Sequence, residues 1–347
     1  METTQKNINF KNTESGLILG GLGTGKSYHL RTMIKDVLNN TDADVIILDT
    51  FGEYSNLVQE FNGKEINLSL KGDNYINPLD MNDFYFGGSF LLKCDFMAAL
   101  FQSIMDHCMK NNVYTLKELT PKQMSIIDRC TLSICQDKSK THTLSDFKTL
   151  LENQPEDEAK DLAYMLSKYT GEEFNTFDHE TNVDTDSRLL SYNIDKLYNF
   201  KFTWEHDINT ISIGMLCVIN SILNKISTNY KNGKHTYVFI EEGGNLIHFP
   251  LIAEFLYTLY KRSRVFRTTF YMVTNDVDSL TSIDCLKGLL HNTQYLFILP
   301  LRSTLDSIRL TEELALSESQ SKKVKWNGLL FYEGEEIPFK GKDIQYI

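Results

Sequence analysis

A chain of 347 residues with 41% hydrophobic and 23% charged residues holds material for one large globular domain or two of ordinary size. Its net charge of −11 argues against a broad basic surface for nucleic acid, while leaving room for a basic channel in an assembly. The six cysteines form no C-x-x-C pair and no histidine lies in an H-E-x-x-H pattern, so reduced, buried thiols are expected.

The polar start, METTQKNINF, carries no signal-peptide pattern. No apolar run is expected to reach bilayer-spanning length, so membrane association is expected to go through partners. The first strong signal follows at once, in LILGGLGTGKSYHLRTMIKDVL. Gly20, four residues, Gly25, Lys26 and Ser27 fit the phosphate-binding pattern G-x-x-x-x-G-K-[ST]. Gly16–Leu19 reads as a buried strand before it, and Leu30, Ile34, Val37 and Leu38 recur at helical spacing after it. Glycines at 20, 21, 23 and 25 let backbone approach phosphate oxygens without a Cβ in the way. The amides of such a loop point inward at a helix N-terminus, where partial positive charge favours an anion. The candidate nucleotide-binding stretch is therefore Gly20, Gly21, Leu22, Gly23, Thr24, Gly25, Lys26, Ser27 and Tyr28. Lys26 is placed to reach the β- and γ-phosphates, and Ser27 to ligate magnesium.

Val45–Leu48 reads as a parallel strand buried on both faces, ending at Asp49 before a loop with Gly52, Glu53 and Tyr54. Glu65–Leu70 is a further strand, and INPLDMN at 76–82 a turn with Pro78. Residues 86–186 read as a mostly helical insertion. In it, Phe90–Met109 is one apolar-periodic segment, and Thr120, Pro121 and Gln123 make a helix start with a capping box. Leu144–Leu151 and Ala159–Tyr169 are helical. The acidic stretch TFDHETNVDTDS closes the insertion as an exposed loop.

Strand character resumes at Arg188–Asp195, and Thr210–Thr228 has helical periodicity. HTYVFIEEGG is the second strong signal: the strand Tyr237–Ile240 ends in Glu241-Glu242. A strand ending in two acids supplies one that holds magnesium, here Glu241, and one that polarises the attacking water, here Glu242. Pro250–Arg267 reads as a helix with cations at its favourable C-terminal end, namely Lys261, Arg262, Arg264 and Arg267. Thr269–Thr274 is a strand ending at Asn275-Asp276, a place from which a polar side chain senses the γ-phosphate. Gln294–Leu299 is another strand, Thr304–Glu313 and Ser317–Val324 are helices, and Gly328–Phe339 is a hairpin turning at Glu333-Gly334. The abundant aromatic residues are scattered, as for a core, not interleaved with basic residues as a base-stacking face needs.

Taken in order, several of these stretches resemble the C-terminal motor domain of the type IV secretion and conjugative transfer ATPases, in the form found on Gram-positive conjugative elements. They are the loop GGLGTGKS, then LDTFGEYSNLV, in which Asp49, Glu53 and Tyr54 keep the family's frame. INPLDMN, LYKRSRVFRTTFYMVTNDVDSL and the closing Gly-Leu-Leu hairpin follow. The resemblance implies a RecA-like α/β P-loop NTPase fold, a mostly parallel sheet flanked by helices, related to the FtsK and HerA pumps. Residues 1–85 and 187–347 would form it, with the all-α insertion between and the β-hairpin at the end. It implies a magnesium-dependent ATPase working as a hexameric ring at the cytoplasmic face of the membrane. Its partners would be membrane-bound secretion components, with DNA or a DNA–protein complex as substrate. In such a ring Arg262 or Arg264 would act in trans on a neighbour's nucleotide, and Asn275 would stand where the family has a sensor Gln. The family's large N-terminal domain has no counterpart here, which suggests an excised domain or a short natural form. The family's Asp-Glu pair is Glu241-Glu242, which moves the first carboxylate about 1.5 Å further out. These departures keep two alternatives open: an ATP-binding assembly subunit with weak hydrolysis, and a HerA- or FtsK-like DNA translocase.

Overall fold

In the computed structural model the described residues are 14–337, apart from 71, 82–89, 106–107, 111–112, 116–117, 172–174, 199–207 and 248. The chain enters through β1 (Gly16–Leu19) and α1 (Lys26–Asn40), then β2 (Asp44–Asp49), α2 (Ser55–Glu60) and β3 (Lys64–Asn67). A largely helical stretch follows: α3 (Phe90–Ile104), a small hairpin of β4 (Cys108–Lys110) and β5 (Val113–Thr115), α4 (Pro121–Gln136), α5 (Leu144–Glu152) and α6 (Asp157–Leu166). β6 (Leu189–Asn193), α7 (Asp195–Tyr198) and the long α8 (Ile208–Lys231) return the chain to β7 (Thr236–Ile240). Next come α9 (Gly244–Ile247), α10 (Pro250–Arg262), β8 (Thr268–Thr274), α11 (Val277–Ser282), α12 (Asp284–Asn292) and β9 (Tyr295–Ile298). The described chain closes with α13 (Thr304–Glu313), α14 (Glu318–Trp326), β10 (Leu329–Tyr332) and β11 (Glu335–Ile337).

Among the described residues, nine strands form one sheet in the order β11-β10-β9-β1-β8-β7-β2-β6-β3. From β9 to β3 every neighbour is parallel, and among the described residues only β10 runs against the others, pairing antiparallel with β9 on one side and β11 on the other. The central strands are buried along their whole length, which is why they read as continuous apolar runs. Alternate residues still part to opposite faces. Ile18, Ile47, Phe239 and Val273 pack with Leu30, Met33 and Ile34 of α1. Leu19, Leu48, Ile240 and Met272 face the other way, into one core with Phe96 of α3, Phe147 of α5 and Ile219 of α8. The helical insertion thus shares its core with one face of the sheet.

Two expectations need correction. The insertion is not all-α: α3 stops at Ile104 inside the apolar segment Phe90–Met109, and Cys108–Lys110 pairs with Val113–Thr115. The sequence between these strands, Asn111-Asn112, favours turns over helix, a local signal that apolar periodicity does not register. Second, α8 is long and apolar enough to span a bilayer by length and composition, with a mean hydropathy of 1.4 over an 18-residue window of Thr210–Lys231. It is a core helix, with 89% of that window buried inside the fold. Its polar side chains are spoken for: Asn220 donates to the Asp80 carbonyl (2.9 Å), and Lys225 pairs with Asp44 (3.1 Å). The capping box of Thr120 and Gln123 with Pro121 at the first turn is present as expected. The closing hairpin turns at Glu333-Gly334 as expected, although positions 338–339 lie outside the described residues.

One buried side chain makes stability depend on pH. His235 enters β7 with its ring against Tyr237 (4.6 Å between centroids) and Nε2 3.0 Å from Thr269 Oγ1. Burial, helped by the Arg267 guanidinium, lowers its pKa to about 4. The unfolded chain takes up this proton near pH 6.5 and the folded chain only near 4. The stability tied to neutral His235 is therefore present above pH 6.5 and lost as the pH falls toward 4. Relative to His235→Gln, the wild-type protein is expected to lose on the order of 3 kcal/mol across that window in denaturant unfolding. Parallel pH curves for the two proteins would count against this role.

Candidate nucleotide site

The phosphate loop leaves β1 at Leu19 and turns into α1 at Lys26. Gly23 and Gly25 take φ of 72° and 98°, the left-handed region that suits glycine. A Cβ on Gly20 would come within 2.7 Å of Thr24 Oγ1 and 2.8 Å of Leu299 Cβ. The loop is tied down from two sides: the Gly21 amide donates to the Pro300 carbonyl after β9 (3.1 Å), and Thr24 Oγ1 donates to the Gly21 carbonyl (2.8 Å). A Cβ on Gly23 would meet nothing within 4 Å, so the loop's far side is open. Leu22 and Tyr28 lie exposed beside it.

Lys26 is buried, its Nζ donating to the Gly21 carbonyl (3.2 Å) and 3.5 Å from Glu242 Oε1. Ser27 Oγ donates to Glu241 Oε1 at 2.6 Å. The sheet order makes both contacts: β7 reaches the loop at the carboxyl end of the sheet, one strand away from β1 across β8. Burial pushes the Glu241 carboxyl above the usual carboxylate range, the Ser27 and Tyr54 hydroxyls pull it back, and Glu242 pushes it up again. Glu242 takes φ of 45°, a strained conformation for a non-glycine residue that costs about 1–3 kcal/mol. The next residue is anchored, the Gly243 amide donating to the Val273 carbonyl (2.7 Å).

Behind the acidic pair lies a loop whose role the sequence did not reveal. Asp49, fully buried at the end of β2, accepts backbone amides from Phe51, Gly52 and Glu53 on Oδ1 (3.2, 2.8 and 3.2 Å) and from Tyr54 on Oδ2 (3.0 Å). Folding the loop around this carboxylate turns Tyr54 inward, and its hydroxyl donates to Glu241 Oε2. Burial and the Glu241 charge push the Tyr54 phenol well above its ordinary pKa, so it stays a donor. Arg31 of α1 pairs with Glu53 (2.8 Å) and sits 5.2 Å from the centre of the Tyr54 ring. The frame Asp49-x-x-x-Glu53-Tyr54 was the available signal; the contact it builds was not.

Asn275 follows β8, whose Thr274 is in register with Leu19 of β1, so it stands beside the phosphate loop and is exposed. Arg262 and Arg264 are exposed at the opposite end of β8, before Thr268. The strand from Thr268 to Thr274 spans about 20 Å. One chain therefore brings together Lys26, Ser27, Glu241, Glu242 and the position of Asn275, and leaves the two arginines away from its own site.

The residues fit a magnesium nucleotide. A glycine cradle opens at the start of a helix, and a hydroxyl and a carboxylate, oxygen donors of the kind magnesium takes, stand 2.6 Å apart next to a lysine. Sheet, loop and acidic strand together define a P-loop NTPase. The chain belongs to the TraG P-loop domain family, whose model matches residues 2–325. Its fold is similar to that of VirB4 from Thermoanaerobacter pseudethanolicus, at 17% identity and a TM-score of 0.73 over 94% of this chain and 88% of that one. It is similar too to the bacterial conjugative coupling protein TrwB in unbound form (14% identity, TM-score 0.55, 96% of this chain and 86% of that one). TrwB with a non-hydrolysable ATP analogue gives 15% identity and a TM-score of 0.51, over 95% of this chain and 78% of that one. No curated protein matches the sequence significantly.

Proposed function

We propose that this chain is the ATP-hydrolysing motor subunit of a conjugative DNA-transfer or type IV secretion machine. The observation that carries the reading is the meeting of Ser27 with Glu241 and of Lys26 with Glu242 at the open side of the phosphate loop. Membership of the TraG P-loop family and the likeness to VirB4 and TrwB support it independently. Magnesium, when bound, supplies charge neutralisation on the β- and γ-phosphates of ATP. Ser27 and Glu241 would hold it. The loop amides hold the phosphates, and Lys26 exchanges the Gly21 carbonyl and Glu242 for phosphate oxygens. Glu242, released from Lys26, orients the attacking water and takes its proton. Asn275 senses the γ-phosphate from the end of β8.

Arg262 or Arg264 completes the site of a neighbouring copy in a ring, which we take to be hexameric, since its own site lies a strand's length away. The ring works at the cytoplasmic face of the membrane, held by membrane-bound components of the machine, and acts on DNA or a DNA–protein complex. The test is turnover per chain with ATP and magnesium at rising protein concentration. Turnover that climbs with concentration, and is lost in the Arg262→Ala/Arg264→Ala variant, is the expected result. Nucleotide binding without turnover at any concentration overturns the motor.

A further inference from the structure

We propose that Tyr54 is a positioning residue for the magnesium site: its hydroxyl fixes the rotation of the Glu241 carboxylate so that Oε1 faces Ser27. The inference deepens the nucleotide-site reading and rests on it. A glutamate carboxylate at the end of a flexible side chain has two equivalent oxygens and several staggered rotamers. Ser27 Oγ engages one oxygen, Oε1, at 2.6 Å. A single hydrogen bond leaves the group free to turn about its last bond and to swing toward the Lys26 ammonium, which lies beside the neighbouring Glu242. The Tyr54 hydroxyl takes the other oxygen, Oε2, and removes that freedom.

Tyr54 is itself held firmly. Its ring is fully buried, its amide is bonded to Asp49 Oδ2 (3.0 Å), and the Arg31 guanidinium packs 5.2 Å from the ring centre. Arg31 is on the helix that begins with Lys26 and Ser27. The metal-holding carboxylate is thus referenced to the phosphate loop twice, directly through Ser27 and through Arg31 and Tyr54. Such outer hydrogen bonds orient ligands and tune affinity by roughly 10- to 100-fold.

The experiment is a double-mutant cycle on the full chain, read as the affinity for a non-hydrolysable ATP analogue at a series of magnesium concentrations. Tyr54→Phe keeps the buried ring and removes only the hydroxyl. It is expected to raise the magnesium concentration needed for half-maximal tightening about tenfold, with affinity in the absence of magnesium unchanged. Glu241→Asp shortens the side chain and withdraws the carboxylate from Tyr54, so adding Tyr54→Phe to it is expected to change the magnesium requirement less than twofold. Equal effects of Tyr54→Phe in both backgrounds mean that the hydroxyl does not act through the Glu241 carboxylate and overturn the proposal. A wild-type magnesium requirement in Tyr54→Phe overturns it too, and leaves the nucleotide site standing. Nucleotide binding by the wild-type chain that magnesium does not tighten overturns both readings.

Discussion

Alanine in place of Lys26 is expected to lower ATP turnover by roughly 10²–10³-fold or more and to weaken nucleotide binding as well. The ammonium lies in a nearly closed position, between the Gly21 carbonyl (3.2 Å) and Glu242 (3.5 Å), and both partners are ones that incoming phosphate oxygens can replace. Its removal takes away the charge that compensates the β- and γ-phosphates and leaves the acidic pair Glu241-Glu242 facing an anion. Glu242→Gln is the contrasting variant. It removes a negative charge from beside the phosphates, so binding is expected to hold or tighten while turnover falls to a similar extent, because the amide cannot take the proton of the attacking water. Binding of a fluorescent nucleotide and release of phosphate, measured on the same samples, separate the two. Wild-type turnover in Lys26→Ala would sink the site assignment. Loss of binding in Glu242→Gln would move Glu242 from the chemistry to the architecture of the loop.

What could be read from the chain is what depends on neighbours in sequence. The Gly20–Ser27 pattern, the caps of α4, the buried strands and the turn at Glu333-Gly334 each need only a few consecutive residues, and each stands where it was expected. The strand bounds moved: β2 gained Asp44 and Asp49, whose backbone continues the ladder beyond the apolar run, whereas β3 stops at Asn67 and not at Leu70, and β6 and β9 are shorter at both ends than expected. What escaped depends on residues far apart. Nothing local to Tyr54 shows that its hydroxyl reaches Glu241, since the sheet order that places β2 beside β7 decides it. The same order carries Arg262 and Arg264 to the far end of β8 and makes a membrane-length helix, α8, the buried spine of the fold. Its buried Asn220 and Lys225, both bonded to the rest of the chain, mark it as a core helix.

Lys93→Met is expected to destabilise the protein by about 2–3 kcal/mol, a large share of a typical folding free energy. Lys93 is a fully buried lysine on α3, with the Phe96 ring 4.6 Å from its Nζ. The ammonium donates to the Pro78 carbonyl (2.6 Å), the Asp80 carbonyl (2.9 Å) and Asn220 Oδ1 (3.0 Å). Methionine fills a similar volume but donates nothing. The Asp80 carbonyl keeps the amides of Asn220 and Asn224, whereas the Pro78 carbonyl and Asn220 Oδ1 lose this charged donor. Relief of the ammonium's own desolvation offsets part of the loss, which keeps the expected cost below the sum of its bonds. The sign of the pH dependence is fixed. Burial draws the Lys93 pKa down from 10.5 to about 7, so between those values the unfolded chain binds a proton that the folded chain does not. Wild-type stability relative to Lys93→Met is therefore expected to grow as the pH rises above 7, by about 1.4 kcal/mol per unit. Denaturant unfolding of both proteins at pH 6 and pH 9 measures this. A constant gap would mean that the carbonyls hold the charge at its ordinary pKa, and no gap at all that they are satisfied by other donors. The segment pinned in this way, residues 76–81, joins β3 to α3 and also bonds the insertion through Asn77 to the His142 carbonyl (2.7 Å) and Thr181 to Asp80 Oδ2 (2.5 Å). Loosening it frees the insertion from the sheet that carries Glu241 and the phosphate loop, so the variant's ATP turnover is expected to fall at temperatures where its fold is still intact.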